Sequence, residues 1–113
     1  MSVMADADDL TRLALALLGS TQYPHFVRIA FKARVTFATL AADRLTANIK
    51  FTPDEQALKC EVASDAFQPL PNAWGARGWT LARLVKLNEA ELAAALKMAW
   101  EHAQGKAKRT RRV

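Results

Sequence analysis

Residues 26–51 read FVRIAFKARVTFATLAADRLTANIKF. Apolar side chains recur here at every second position. Val27, Ile29 and Phe31 alternate with Arg28, Ala30 and Lys32, and Val35, Phe37 and Thr39 alternate with Arg34, Thr36 and Ala38. Leu45, Ala47, Ile49 and Phe51 then alternate with Arg44, Thr46, Asn48 and Lys50. Successive side chains of a strand point to opposite faces, so the pattern predicts three half-buried strands. They follow one another too closely for crossover connections. Antiparallel pairing through short turns is expected, near Ala33 and near Ala42-Asp43.

On the N-terminal side, Leu10, Leu13, Leu17 and Leu18 predict a helix over residues 6–18, stopped by Gly19. Asp6, Asp8 and Asp9 suit the positive end of its dipole. Ser20 to His25 reads as a connector, because Pro24 discourages helix. On the C-terminal side, Thr52-Pro53-Asp54-Glu55 is a capping box with proline at the first helical position, opening a helix to about Ala63. Phe67 to Leu70 is a short extended piece bounded by Pro69 and Pro71, suited to a sheet edge. Trp79 to Leu87 is a further strand. Asn88-Glu89-Ala90-Glu91 repeats the capping logic before a last helix carrying Leu92, Leu96, Ala99 and Ala103. The expected order is α-β-β-β-α-β-β-α, one α+β sandwich with an antiparallel sheet and helices on one face. Residues 1–104 form the domain and 105–113 a basic tail.

The chain of 113 residues carries a formal charge of +5, and its last nine residues account for all of it through Lys106, Lys108, Arg109, Arg111 and Arg112. The neutral remainder is uneven. Segments 26–51 and 66–87, which form the sheet, count +4 and +3, whereas segments 1–25, 52–65 and 88–104 count −2, −3 and −2. A sheet face left open by the helices would display Arg28, Lys32, Arg34, Arg44 and Lys50. Two readings fit: a solvated face that resists edge pairing, or a surface that tracks phosphates. The tail is likewise either solubilising or attractive to DNA and other polyanions.

Several classes are disfavoured. A single cysteine, Cys60, makes no internal disulfide and reads as a small apolar helix residue. His25 and His102 have no companion at metal-ligand spacing, and neither a phosphate-binding glycine loop nor a G-x-S-x-G elbow occurs. No cofactor is expected, and no catalytic constellation emerges. The densest apolar run, Leu13 to Leu18, falls far short of the roughly 20 residues that span a bilayer. Acids precede it where a secretory signal has bases. A cytoplasmic protein without membrane insertion is expected.

One stretch stands apart. Residues 67–80, FQPLPNAWGARGWT, hold two of three tryptophans, two of four prolines and two of four glycines. Trp74, Gly75, Arg77 and Trp79 make either a tightly packed loop, with Trp79 as a core anchor, or a binding loop. Arg77 is placed to stack on an indole or meet an anion.

This stretch resembles a signature of the MmcQ/YjbR-like family. Phe37-Ala38-Thr39-Leu40, Gln56 and Ala99-Trp100 also match, in order, across residues 20–104. The chain departs from many relatives at Lys32-Ala33-Arg34-Val35 and at Asn72. The resemblance implies a CyaY-like α+β fold and a DNA-binding role. The leading expectation is non-enzymatic DNA binding through Arg28, Lys32, Arg34, Arg44, Lys50 and Arg77 with the tail. The alternative is a small-ligand or protein-partner module at the Trp74–Trp79 loop.

Overall fold

In the computed structural model, which describes residues 3–105, the alternating stretch forms three neighbouring strands of a six-stranded antiparallel sheet. The strands are β1 (Thr21–His25), β2 (Arg28–Lys32), β3 (Thr36–Leu40), β4 (Thr46–Lys50), β5 (Phe67–Pro69) and β6 (Trp79–Arg83), in the order β1-β2-β3-β4-β6-β5. The helices are α1 (Ala7–Leu15), α2 (Pro53–Val62), α3 (Ala73–Ala76) and α4 (Glu89–Gly105), with a 3₁₀ turn, Leu84–Lys86, between β6 and α4. The α+β class and antiparallel sheet are as expected. Among the described residues, no helix is long and apolar enough to cross a membrane.

Reciprocal caps begin the three long helices. Asp6 accepts from the Asp9 amide and Asp9 from the Asp6 amide. Thr52 and Glu55 exchange the same bonds at α2, as do Asn88 and Glu91 at α4. Each box satisfies two amides that helix geometry leaves without partners.

Strand register decides which side chains share a face, because directly opposed residues point the same way. Ile29, Leu40, Ala47, Ala82 and Phe67 form one row, and Phe31, Ala38, Ile49 and Thr80 form the next. This face meets Leu10 and Ala14 of α1 and Leu92, Ala95, Leu96 and Ala99 of α4, all fully or almost fully buried in one apolar cluster. The opposite face is open. Its middle row runs Tyr23, Ala30, Thr39, Asn48, Leu81 and Gln68.

Five expectations are corrected. The connector 20–25 is an edge strand: β1 pairs with β2 in full register, and its proline lies where an edge needs no ladder donor. A two-residue turn, Phe26-Val27, joins the two, with Phe26 at φ +58°. Along β3 the alternation changes phase. Phe31 faces Ala38 and Lys32 faces Thr36, so Phe37 is an extra, bulged residue. Phe37 and Ala38 are both buried in the core cluster, and Thr39 points to the open face. Val27, Val35 and Leu45 belong to turns and are exposed. The last strand ends at Arg83, not Leu87, and α1 ends at Leu15.

Candidate functional site

The loop between β5 and β6 is built from backbone contacts that only glycine permits. A Cβ on Gly75 would lie 1.8 Å from the Leu70 carbonyl oxygen, and one on Gly78 would lie 1.9 Å from that of Phe51. Gly78 also sits at φ +109°. Asn72 starts α3 by accepting from the Trp74 amide. The Phe51 amide donates to the Gly78 carbonyl, tying the loop to the end of β4.

Gln56, buried on α2, fastens the same loop to the core. Its Nε2 lies 3.0 Å from the carbonyls of Gly75 and Trp79 and 3.1 Å from Thr80 Oγ1. Thr80 in turn donates to the Gly78 carbonyl. The residues that carry the family resemblance at this point thus hold a loop in place, and two tryptophans project from it.

Those tryptophans flank the open face. Trp79 is half-buried beside Lys50, its cross-strand partner, and is not a core anchor. Trp74 is 54% exposed, with the Arg77 guanidinium 5.3 Å above its ring. Together with Leu70 and Asn72 they form one wall of a concavity of about 400 Å³. Tyr23 and His25 of the edge strand form the other wall, and Arg28, Thr36, Thr39 and Asn48 complete the lining. Ala30 lies between Tyr23 and Thr39 in the middle row.

The polar groups are arranged unequally. Tyr23 and Thr36 share a hydroxyl–hydroxyl bond of 2.5 Å. Arg28 donates from Nε to Thr39 Oγ1 at 2.8 Å and from Nη2 to the Thr39 carbonyl at 3.4 Å. Burial pushes the Arg28 guanidinium below its usual range, while the Asp43 charge pulls it back up. It stays cationic, with donors left over. Among the described residues, no protein group bonds the Asn48 amide or the indole N–H groups of Trp74 and Trp79. On the edge wall, Lys32 Nζ lies 5.6 Å from the Tyr23 ring centroid.

The basic residues named from sequence separate into groups. Arg28, Lys32 and Lys50 lie on the open face, joined by Arg83, whose alternation with Trp79 and Leu81 was the signal for it. Arg83 donates to Gln68 Oε1. Arg34 falls in the β2–β3 turn, and Arg44 in the β3–β4 turn, where it pairs with Asp8 of α1 at 2.6 Å. Both were expected on the face; the turn geometry takes them off it. Arg77 stands at the rim. Lys106, Lys108, Arg109, Arg111 and Arg112 lie outside the described residues. The tryptophan loop and the basic face, read separately from sequence, meet at this concavity, to whose lining the face contributes Arg28. Tyr23, His25, Thr36 and Thr39 join it without a sequence signal of their own.

His102 meets Glu55 at 2.9 Å, linking α4 to the start of α2. Burial pushes the Cys60 thiol up, away from thiolate chemistry. Among the described residues, no group of three His, Cys, Asp or Glu side chains is positioned to hold a metal ion.

No protein-family model matches the chain, and no curated protein matches it. A solved structure does. The crystal structure of Deinococcus radiodurans protein DR2400, with a DUF419 domain, superposes with a TM-score of 0.72 at 19% identity. The match covers 95% of this chain and 87% of the other. At that identity the likeness establishes the shared fold.

Proposed function

We propose that this chain is a member of the MmcQ/YjbR-like family that binds nucleic acid in the cytoplasm, without catalysis, through the open face of its sheet. The motif resemblance and the fold likeness to a DUF419 protein support the family, DUF419 being its domain designation. The observation carrying the function is the make-up of the open face. Arg28, Lys32, Lys50 and Arg83 occupy its strand positions beside four aromatic rings, and among the described residues no carboxylate shares those positions. Such a surface attracts phosphates by counterion release and offers rings to bases. The basic tail adds affinity without sequence preference.

A binding titration over a salt series tests this, beginning near 50 mM where electrostatic affinity is high. Measurable binding by the full chain that persists on removing residues 105–113 supports a role for the face. Absence of binding at low salt refutes the proposal, and complete loss on truncation assigns binding to the tail alone.

The concavity also favours a second reading, because about 400 Å³ lies within the range of small-ligand sites. The loop of Trp74, Gly75, Arg77 and Trp79, whose two tryptophans line the concavity, would take an anionic metabolite or a partner side chain. Tryptophan quenching by a small anion, unchanged by moderate salt, distinguishes it from nucleic-acid binding.

A further inference from the structure

We propose that the concavity takes an unpaired nucleobase, so that the open face selects single-stranded over double-stranded nucleic acid; this rests on the nucleic-acid reading above. In a duplex the base faces are stacked and closed to protein side chains. A surface that reads only duplex phosphates needs cations, not a walled cavity of rings. Here the rings line the concavity on both sides, with Tyr23 and His25 on one wall and Trp74 and Trp79 on the other. The cations stand around them. Lys50 adjoins Trp79, Arg77 lies over Trp74, and Lys32 over Tyr23. Stacking between rings with phosphates on flanking cations is the usual chemistry of single-strand binding.

The lining is also suited to a base edge. Arg28 is held by Thr39 through Nε and one terminal nitrogen, leaving further N–H groups to donate to a base carbonyl or a phosphate. Asn48, two strands away in the middle row, offers an amide donor and acceptor. An apolar peptide would leave these groups unsatisfied on burial, at a cost in affinity.

A second observation concerns the strand beyond the first base. Phe26 is 93% exposed at the tip of the β1–β2 turn and sits at positive φ, where a bulky side chain is disfavoured. Its ring meets His25 edge-on at 4.8 Å, and His25 meets Tyr23 at 6.3 Å. The edge strand thereby carries a line of three rings leading out of the concavity, a second stacking place for the adjacent base.

The test uses the full chain and two probes, an oligothymidylate of about 12 nucleotides and a mixed-sequence duplex of equal phosphate number. Binding is followed by anisotropy and by tryptophan quenching near 100 mM salt. The expected result is at least tenfold tighter binding of the single strand, with quenching. Trp74→Ala should weaken it roughly tenfold or more and Trp74→Phe restore most of it, with both variants still folded at the assay temperature by far-ultraviolet circular dichroism. Equal or tighter duplex binding without quenching overturns the base site yet leaves nucleic-acid binding standing. Binding of neither probe at about 50 mM salt overturns both. Thymidine monophosphate quenching as strongly as the oligonucleotide at equal concentration overturns the strand preference in favour of a free nucleotide.

Discussion

Replacing Gln56 by leucine removes one side chain and loosens the whole β5–β6 loop. Gln56 is 9% exposed and its amide reaches three acceptors. None of those acceptors is left bare by its loss. The Gly75 carbonyl still receives the Gly78 amide, the Trp79 carbonyl still receives the Leu70 amide, and Thr80 Oγ1 still donates to Gly78. The cost is therefore the bonds themselves, not full desolvation of unsatisfied groups. At roughly 1 kcal/mol per bond, and with two amide hydrogens to give, Gln56→Leu should destabilise by about 2 kcal/mol. Leucine fills most of the volume, which keeps any cavity contribution small. For a domain of this size the unfolding midpoint should fall by roughly 10 °C. Tryptophan fluorescence should report earlier loosening than far-ultraviolet circular dichroism, because both loop tryptophans hang from this attachment. A Gln56→Leu protein that melts within about 0.5 kcal/mol of the wild type, with unchanged fluorescence, would refute the role given to Gln56.

Gly75→Ala places a methyl group against the Leu70 carbonyl, a backbone atom that cannot turn aside, and should cost at least about 3 kcal/mol in urea unfolding. Phe26→Gly relieves a left-handed residue and loses almost no packing, so stability should hold or rise by up to about 1 kcal/mol while single-strand affinity falls. Burial alone pushes the Glu55 carboxyl up, but bonds from the Thr52 amide and His102 outweigh it, and the group sits below its usual range. Its stabilising contribution is complete above the ordinary glutamate range and is lost as pH falls through the folded value. Acid titration of Glu55→Gln should therefore show a shallower loss of stability than the wild type. Arg44→Ala breaks only an exposed ion pair and should change stability by less than about 1 kcal/mol. It should leave the salt dependence of DNA binding unchanged, whereas Arg83→Ala should reduce its slope by about 1.

The concavity gives a physical meaning to the charge division within the chain. The helices carry the acids on the far side of the sheet, and Asp8 and Glu89 neutralise Arg44 and Arg12 there. The bases of the strands remain beside the aromatic rings. A neutral body thus presents one cationic face.

What the sequence determined by itself was local. Period-two alternation in 26–51 identified β2, β3 and β4, and capping pairs at Thr52-Glu55 and Asn88-Glu91 located two helix starts, because these signals depend on neighbours within a few residues. Alternation reports which residues share a face, and it fails where a chain is buried on neither side or where the phase slips. Residues 21–25 therefore looked like a connector, since an edge strand with a proline shows no apolar period, and the Phe37 bulge was invisible until β2 fixed its partner. The site needed more. Trp79 shares a concavity with the rings of β1 only because three intervening strands, β2, β3 and β4, set the distance between the two walls. Arg44 is withdrawn only because Asp8 of α1 lies beside its turn. Those placements arise from long-range pairing and from backbone contacts as close as those at Gly75 and Gly78. The tertiary structure, and not the motif order, thus made one concavity from a basic face and a tryptophan loop.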